Sequence, residues 1–558
     1  MRLAAPLVVV LGLISALAGI AVAVIAFAPI PFADSIDFFR RFFEVGGWQG
    51  YGPAELYARH NEHRLVVPRL WFLLDLALFD ATQASLIVVT VLSSIAHAAV
   101  LAWVFRCLGH RGAVLWAFAA AALGATLSPA QWENLVWSFQ VQFIQVWLFA
   151  TLAFAALALG ERHGWWARVA VAIVCGLAST YSMANGILVW PLLVVLAIWL
   201  GVRGGPLWLL LAAATAVIGV EAANYHAHAG HGDPLQTIRQ PVALARYALR
   251  YLTSGVAVIG RLGQELLGGA LVAAWAAFAV HALLRRDRYT AAHGVLIVVA
   301  GFVVGAALLT ALGRVTFGLG QANAARYATP SLVFMTAVLG LVLARLSQVE
   351  SGRTFPVALV AAGAILLVPG LVDGGRHLQA IVDQRNARAD AVVAYASAGY
   401  RPGAMLALYP AEVPFVRRVL EGLDRNGLGP FADRSWLAPP PGMRAQPMPV
   451  PEASCEGRVT LFARDAVLGS RLTGWASASI PAVPRWVVAV DEDRRVVAWG
   501  VGHFEWRRLG KSLRQGVGRW TFDVSAAHGA APIAELVMVL ADGKSCRIDA
   551  VVPPAPGG

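Results

Sequence analysis

The chain has 558 residues, of which 58% are hydrophobic and only 14% are charged, and its mean hydropathy is +0.65. These values argue strongly against a soluble multidomain protein and indicate a polytopic membrane protein. The formal net charge of +12 comes almost entirely from arginines that are dispersed along the chain. Because these arginines form no basic stripe, the sequence predicts no nucleic-acid partner.

Apolar segments close to the roughly 20 residues that a helix needs to cross a bilayer recur along the first two thirds of the chain. They predict a polytopic α-helical membrane protein with about 11 transmembrane helices. These segments lie near residues 7–29, 84–105, 112–128, 138–159, 167–183, 186–202, 206–223, 263–284, 292–312, 329–346 and 355–372. The first segment is long and lacks a convincing cleavage site, so we interpret it as a retained anchor rather than a signal peptide.

The short loops between alternate segments are rich in arginine, which the positive-inside rule assigns to the cytoplasm. These loops carry Arg106, Arg111, Arg162, Arg168, Arg203, Arg285, Arg286, Arg288, Arg345 and Arg353. The rule predicts a bacterial inner-membrane protein with a cytoplasmic N-terminus and a periplasmic C-terminal domain. Arg314 and Arg326 lie in a short loop on the opposite side, and this exception favours a functional role for them.

A long polar loop from Pro31 to Leu70 follows the first apolar segment on the predicted outer side. Its ionisable residues are Asp34, Asp37, Glu62, His63 and Arg64. Ionisable groups at a membrane edge are costly to desolvate and are often functional. This loop is therefore the first candidate for a site.

Polar residues also occur in the outer turn between the third and fourth segments. They are Glu133, Asn134, Gln140, Gln142 and Gln145. A buried amide needs hydrogen-bond partners, so these glutamines indicate either a polar cavity or hydrogen bonds between helices.

The outer turn GRVTFGLGQANAARYATP, residues 313–330, carries the two exceptional arginines. Arginine forms bidentate hydrogen bonds with phosphate oxygens, so Arg314 and Arg326 could hold a lipid phosphate, with Gln321 and Tyr327 beside them. Ordinary contact with lipid headgroups is the alternative.

The loop NYHAHAGHGDP contains four potential metal ligands, His226, His228, His231 and Asp233. The spacing does not match a closed structural zinc pattern, and the glycines and proline are typical of a loop. We therefore expect no metal site there.

The sequence after the last apolar segment divides into two parts. Residues 373–450 have helical spacing and end in a proline-rich linker, whereas residues 451–558 alternate with a period of two and predict a small antiparallel β-sandwich. A Cys455–Cys546 disulfide is expected in an oxidising periplasm, with two free thiols as the alternative. The residues Trp475, Trp486, Trp499 and Trp520 are expected in the core, with sugar stacking as the alternative.

Four motifs, FADSID, HNEHR, QWENLVWSFQ and GQANAARYAT, together with the many apolar segments and the outer C-terminal domain, resemble the GT-C superfamily of integral membrane glycosyltransferases. The resemblance covers roughly residues 1–372, the predicted membrane domain. It implies a polyprenyl-phosphate-linked sugar as donor and a catalytic acid in the first outer loop. The chain departs from the best-known members because Asp34 and Asp37 are separated by two residues and form no adjacent acidic pair.

Transfer from a lipid-phosphate sugar requires a base for the acceptor hydroxyl and cations for the departing phosphate. We expect Asp34 to be the base because it lies closest to the end of the first segment, with Asp37 as the reserve. The remaining roles follow from charge and position. Glu133 would orient the acceptor or assist a metal ion, and the phosphate would be held by Arg64, Arg314 and Arg326. Glu62 and His63 would position the sugar or tune the base, and further contacts with substrate would come from Gln140, Gln142, Gln321 and Tyr327. No cofactor is indicated with certainty, although a divalent metal ion is compatible with this chemistry.

The expected acceptor is an envelope glycan or lipid. Two other classes of function fit the same sequence. A transporter or flippase for a lipid-linked glycan would use the polar residues to line a pathway, and a noncatalytic assembly protein would use its outer domain to recruit partners. A transporter predicts charges through the depth of the membrane, whereas the charges here lie chiefly on one predicted face.

Overall fold

A computed structural model describes residues 3–160, 163–224, 237–349, 354–411, 414–451, 453–465, 469–479, 483–505, 512 and 515–549. The described chain is mostly helical and divides into two compact units. The first unit comprises Met1–Ile25, Gly52–Leu74 and Ala84–Leu378, and the second comprises Ala26–Tyr51, Asp75–Gln83 and Gln379–Gly558.

The helices are numbered here in chain order. They are α1 (Ala4–Ala26), α2 (Asp34–Glu44), α3 (Pro53–Tyr57), α4 (Val66–Leu78), α5 (Ala84–Cys107), α6 (Gly112–Thr126), α7 (Trp132–Val136), α8 (Val141–Leu159), α9 (Trp165–Thr180), α10 (Val189–Leu200), α11 (Gly205–Ala223), α12 (Pro241–Tyr251), α13 (Gly260–Leu284), α14 (Ala291–Arg314), α15 (Ala328–Val349), α16 (Thr354–Ala398), α17 (Pro402–Met405), α18 (Pro414–Asn426) and α19 (Pro441–Ala445). The repeated long apolar helices identify a multi-pass helical membrane protein.

Within the described residues, 9 helices are long and apolar enough to cross a membrane, fewer than the predicted number of about 11. The difference arises at the predicted segments 167–183 and 186–202, which form the shorter apolar helices Trp165–Thr180 and Ala184–Leu200. A helix rises about 1.5 Å per residue, so helices of this length fall short of a hydrocarbon core of roughly 30 Å. The polar turn after Thr180 limits both.

The core of the first unit is apolar and includes the fully buried rings of Trp147, Trp190 and Phe302. Small residues allow its helices to approach closely. A Cβ atom at Gly12 of α1 would lie 2.2 Å from the carbonyl oxygen of Ala120 in α6, a separation that only glycine permits without movement of the backbone. Such close backbone contacts are typical of helix packing in membranes.

The boundary predicted at residues 372 and 373 falls inside a single helix. The helix α16 continues without interruption from the last apolar segment into the polar sequence that follows, and it contains Pro369. The expected helical character of the polar segment is therefore confirmed up to Ala398.

The second unit contains a sheet of seven strands that closes on itself. The strands are β3 (Ala453–Asp465), β4 (Gly469–Ser479), β5 (Pro484–Val490), β6 (Val496–Phe504), β7 (Val517–Ala526), β8 (Glu535–Leu540) and β9 (Ser545–Asp549), and two further short strands, β1 (Arg59–His60) and β2 (His63–Arg64), belong to the first unit. The strand order is β3-β4-β7-β6-β5-β8-β9, with β9 returning to β3. The predicted β-sandwich is therefore wrong, because the domain is a closed barrel.

Closure of the barrel depends on one long strand. The first residues of β3, from Ala453 to Glu456, pair in parallel with Cys546–Asp549 of β9, and its later residues pair antiparallel with β4. The register with β4 shifts between Val459 and Leu461, an irregularity that bends the strand shortly after its pairing with β4 begins. Inward and outward alternation is the same in a sandwich and a barrel, and it could not reveal this pairing.

The predicted local features of the barrel are confirmed. The hairpins β5–β6 and β8–β9 show the antiparallel pairing that the alternation with a period of two predicted. Cys455 and Cys546 form the expected disulfide between β3 and β9, at the two strands that close the barrel. A disulfide of this kind contributes roughly 2–4 kcal/mol to stability.

Three of the four tryptophans are buried, as expected for core residues. Trp486, Trp499 and Trp520 are each less than a tenth exposed, whereas Trp475 is half-buried beneath the guanidinium group of Arg519, 3.8 Å from its ring centroid. The sugar-stacking alternative therefore loses support for the three buried rings.

Candidate functional site

The HNEHR sequence forms a tight hairpin in the first unit. Strands β1 and β2 pair antiparallel, and Asn61 in the turn has a φ of 51°, a conformation that asparagine tolerates. The turn brings Glu62 and His63 together: Glu62 Oε1 lies 3.4 Å from His63 Nε2 and 3.7 Å from a guanidinium nitrogen of Arg314. Three predicted site residues therefore meet.

The tautomer of His63 follows from its other contact. The backbone N–H of Ala184 donates to His63 Nδ1 at 3.2 Å. Because Nδ1 accepts, a neutral imidazole carries its proton on Nε2, the nitrogen that faces Glu62. His63 is thus oriented by the turn between α9 and α10 as well as by its own hairpin.

Glu221, at the end of α11, is a centre of this cluster that the sequence analysis missed. Its carboxylate lies 3.3 Å from an Arg59 guanidinium nitrogen and 3.1 Å from Arg64 Nε. Tyr57 also donates its hydroxyl to Glu221 at 3.3 Å, and its ring lies 4.1 Å beneath the Arg64 guanidinium. Arg64 is therefore held by Glu221 and not by the carboxylate that contacts Arg314.

The two glutamates do not balance the arginines around them. Arg59 and Arg64 share the single carboxylate of Glu221, and Arg314 shares Glu62 with a histidine. Three guanidinium groups therefore face two carboxylates, which leaves a net charge of one positive unit when His63 is neutral. We call this set of five charged residues the hairpin cluster.

A second tyrosine extends the hairpin cluster. The Tyr181 hydroxyl lies 3.3 Å from that of Tyr57, and their ring centroids are 5.7 Å apart. Burial raises the pKa of Tyr181, and the neighbouring hydroxyl of Tyr57 and the negative charge of Glu221 raise it further. The hydroxyl therefore stays protonated and available as a donor near neutral pH.

Glu133 and Arg326, for which the sequence predicted contacts with acceptor and phosphate, contact each other directly. An Arg326 guanidinium nitrogen donates to Glu133 Oε1 at 2.7 Å, and the Arg326 backbone N–H donates to Oε2 at 3.3 Å. The amide of Asn134 donates to the Arg326 carbonyl at 2.9 Å. This short ion pair ties α7 to the turn before α15 and occupies both carboxylate oxygens.

The turn that carries Gln321 is anchored to α12. Tyr247 donates its hydroxyl to Gln321 Oε1 at 3.0 Å. Burial raises the pKa of Tyr247, Tyr327 raises it further, and the positive charges of Arg314 and Arg326 oppose the rise. The Tyr247 hydroxyl therefore lies within the electrostatic reach of both Arg314 and Arg326, which stand at opposite ends of the turn.

Two further contacts fix the same turn. The amides of Gln264 and Asn323 exchange hydrogen bonds of 2.8 and 3.1 Å, and the rings of Tyr251 and Tyr327 are 4.7 Å apart. Tyr327 is itself buried. It supports the turn from within the helical core, and this placement differs from the substrate contact that the sequence predicted.

The three glutamines near the start of α8 are all buried. The side-chain oxygens of Gln140, Gln142 and Gln145 have no hydrogen-bond partner among the residues that the structure describes. A buried, unpaired acceptor costs about 1–3 kcal/mol, so three of them close in sequence are unusual in a native core. Neither expected role, a hydrogen bond between helices or an open polar lining, is visible for these oxygens.

Asp34 and Asp37 belong to the second unit, where they occupy the first turn of α2. Their spacing of three residues places them on one face of this helix. Tyr409 donates its hydroxyl to Asp37 Oδ2 at 3.2 Å, and Arg40 Nε lies 3.4 Å from Oδ1. Burial, followed by the negative charge of Asp37, raises the pKa of Tyr409 to about 12.

The described residues contain no group of three or more His, Cys, Asp or Glu side chains that could hold a metal ion. The candidate ligands His226, His228, His231 and Asp233 lie outside the described residues. The acidic residues of the hairpin cluster are instead engaged by arginines.

No known protein family has a model that matches the chain, and no curated protein is significantly similar to it.

The sequence contained one signal that could have identified Glu221. It is the only carboxylate in the apolar segment 206–223, and an ionisable group in such a segment is a functional candidate by default. Tyr57, Tyr181 and Tyr247 carried no comparable signal, because tyrosine is common at membrane interfaces.

Proposed function

We propose that this chain is a membrane glycosyltransferase that moves a sugar from a polyprenyl-phosphate carrier to an envelope glycan or lipid acceptor, on the periplasmic face of a bacterial inner membrane. The observation that carries the proposal is the hairpin cluster, in which three arginines face two carboxylates. Glu221 and Arg314 lie at the ends of the apolar helices α11 and α14. Such helix ends are the depth at which a lipid phosphate would be found.

The phosphate of the carrier is the group that the hairpin cluster suits best. Guanidinium groups bind phosphate oxygens through two parallel N–H donors and remain charged at all physiological pH values. The uncompensated positive charge would attract the phosphate, and Arg314 is the natural contact because its ion pair with Glu62, at 3.7 Å, is long. The tyrosine hydroxyls of Tyr57 and Tyr181 would add neutral donors.

In the proposed reaction, an acceptor hydroxyl oxygen forms a bond to the anomeric carbon of the sugar, and the bond from that carbon to the phosphate oxygen breaks. The electron pair of the broken bond leaves on the polyprenyl phosphate, whose charge the arginines stabilise. The acceptor proton goes to a carboxylate. Asp34 is the proposed base, with Asp37 as the alternative, from their place at the start of the first outer loop.

Glu133 and Arg326 take a different role from the one the sequence suggested. Their ion pair of 2.7 Å and the backbone contact beside it hold the turn that follows Arg314. We therefore assign both residues as positioning residues for the phosphate site. Glu62 and His63 set the position of Arg314.

Mass analysis of lipid-linked sugars and envelope glycans in cells tests the phosphate site. Replacement of Arg314 by glutamine should cause a polyprenyl-phosphate sugar to accumulate and an envelope glycan to lose a substituent, because the leaving phosphate loses its cation. Arg345→Gln is the matched control, since Arg345 is an exposed arginine of α15. Normal glycans in the Arg314→Gln cells would overturn the proposal.

The same measurement tests the base. Asp34→Asn should cause the same accumulation, whereas Glu44→Gln, which removes an exposed acid from the far end of α2, should leave the glycans unchanged. Accumulation in Asp37→Asn cells alone would transfer the role to Asp37. A lipid-linked sugar that accumulates only on the cytoplasmic leaflet would indicate a flippase and contradict glycosyl transfer.

A further inference from the structure

The second unit contains a cavity of about 790 Å³ that is separate from the residues discussed above. It lies among the end of α16, helix α18, the proline-rich segment before α19 and strand β5. We call it the linker cavity. Its principal lining side chains are Tyr395, Phe431, Arg434, Arg444, Glu421 and Arg485.

The size of the linker cavity is typical of a ligand site, since small-molecule sites occupy roughly 300–1,000 Å³. Pro439, Pro440 and Pro441 form part of its wall, and proline fixes the backbone dihedral φ. A wall of this kind is already ordered before a ligand binds. The entropic cost of binding is correspondingly small.

The lining of the linker cavity carries an excess of positive charge. Four arginines, Arg417, Arg434, Arg444 and Arg485, face two carboxylates, Glu421 and Asp424, which leaves a net charge of two positive units. Each carboxylate forms an ion pair with one of these arginines: Arg417 Nε lies 2.7 Å from Glu421, and Arg434 pairs with Asp424.

The two remaining arginines have no carboxylate ion pair among the described residues. A guanidinium nitrogen of Arg485 donates to the Ser435 carbonyl at 3.0 Å, and the Arg444 guanidinium lies 5.5 Å from the ring centroid of Trp499. Asp433, which is not part of the lining, accepts the Ser435 backbone N–H at 2.9 Å. Hydrogen bonds with Ser435, and then the charge of Arg485, lower the pKa of Asp433, so this acid lies within electrostatic reach of Arg485 without pairing with it directly. Arg444 and Arg485 therefore keep guanidinium groups that no direct ion pair within the described residues occupies.

Aromatic rings occupy the same cavity. The rings of Tyr395 and Phe431 meet edge to face with centroids 5.7 Å apart, and Tyr400 also lines the wall. Aromatic faces pack against the apolar C–H faces of sugars. A carboxylate accepts several hydrogen bonds, so Glu421 can accept one from a sugar hydroxyl while it remains paired with Arg417. Rings, acids and unpaired arginines together match a ligand that is both a saccharide and an anion.

We propose that the linker cavity binds an acidic oligosaccharide. A carboxylate or phosphate substituent of the glycan contacts Arg444 and Arg485, and a sugar ring packs on Tyr395 or Tyr400. The proposal concerns binding alone and does not depend on the transfer reaction at the hairpin cluster.

Calorimetric titration of the purified full-length chain in lipid nanodiscs tests this inference with three probes. They are tetragalacturonate, its fully methyl-esterified form, which has the same sugars without charge, and inorganic phosphate. Tetragalacturonate should bind at least about tenfold more tightly than either of the other two, because only it supplies both sugar and anion. An ester that binds equally well would overturn anion recognition, and phosphate that binds equally well would overturn saccharide recognition.

Substitutions assign the binding to the cavity. Arg485→Gln and Arg444→Gln should each weaken tetragalacturonate binding about tenfold, whereas Arg418→Gln, on an exposed position of α18 outside the lining, should change it less than about twofold. Both cavity arginines are exposed, so the fold should survive their replacement, and unchanged thermal unfolding checks this. Wild-type affinity in both cavity variants would overturn the proposal.

One further variant separates this inference from the proposed function. Arg314→Gln should bind tetragalacturonate with wild-type affinity even though it is expected to lose transfer. Loss of tetragalacturonate binding in Arg314→Gln would overturn the assignment of the saccharide to the linker cavity.

Discussion

The Glu133–Arg326 pair and the hairpin cluster contain the same kinds of residue but use them in opposite ways. Glu133 and Arg326 contact each other at 2.7 Å, one acid to one base. In the hairpin cluster, Glu221 is divided between two arginines and Glu62 reaches Arg314 only at 3.7 Å. The first arrangement satisfies its own charges, whereas the second leaves a positive charge unsatisfied.

This difference indicates which arginines can exchange partners. An anion that displaced Glu133 from Arg326 would have to break a short, charge-assisted hydrogen bond and leave a half-buried carboxylate alone. An anion that approached Arg314 would replace a long contact and gain from the net positive charge. A sequence shows two arginines in one turn, but only their partners separate a ligand contact from a structural one.

The largest expected effect comes from breaking the hairpin cluster while leaving the pair intact. Arg314→Gln should lower kcat/KM for a polyprenyl-phosphate sugar by about 10²–10³, as expected for the loss of one transition-state charge contact. Arg326→Gln should lower it less, through displacement of the turn. Steady-state kinetics of the purified protein measure both.

A variant that keeps the positive charge at position 314 sharpens the same test. Arg314→Lys should recover part of kcat, since a point charge still stabilises the leaving phosphate, although it lacks the guanidinium fork. If Arg326→Gln proved more damaging to kcat than Arg314→Gln, the two regions would have to exchange roles.

The next largest effect is on stability. Here the Glu133–Arg326 pair should contribute more than the contact between Glu62 and Arg314. Removal of one member of the Glu133–Arg326 pair should cost on the order of 1–2 kcal/mol, less than a fully buried pair because the two side chains remain 18% and 24% exposed. Unfolding of Glu133→Gln, Arg326→Gln and the double variant in detergent forms a double-mutant cycle that isolates their coupling. The corresponding cycle for Glu62 and Arg314 should give a smaller coupling, and equal couplings would contradict the comparison.

Local features of the fold were predictable from sequence because they depend on near neighbours. The hairpins β5–β6 and β8–β9 follow from strand alternation and short polar turns. Helix α2, with Asp34 and Asp37 on one face, follows from their spacing of three residues. The eleven predicted apolar segments all correspond to helices; two of these helices are shorter than a membrane span, and the last continues past its predicted end to Ala398.

Apart from the Cys455–Cys546 disulfide, features that depend on distant residues were not predictable. The barrel closes through β3 and β9, which carry cysteines separated by 91 residues, and no local pattern distinguishes that pairing from an open sandwich. Glu221 lies 157 residues from Arg64 in sequence, yet it is the carboxylate that Arg64 contacts. The sequence singles out the hairpin residues and marks Glu221 as an unusual carboxylate in an apolar segment, but it does not show that Glu221 pairs with Arg59 and Arg64.

The smallest expected effect concerns Asp37, another acid with a hydrogen-bond partner, which accepts from the hydroxyl of Tyr409. Burial and the charge of Asp37 raise the pKa of Tyr409 from its ordinary value of 10.0 to about 12 in the folded protein. The raised pKa stabilises the fold fully below about pH 10, and this contribution is lost as the pH rises toward 12, because the folded state resists deprotonation that the unfolded chain undergoes. Tyr409→Phe should therefore be less stable than the wild type at about pH 9. The difference between their unfolding midpoints should be smaller at about pH 11, because the wild type has by then lost part of its advantage. In an Asp37→Asn background that change should shrink, since burial and the charge of Asp34 would then hold the proton without Asp37. An unchanged difference would show that Asp37 does not engage Tyr409.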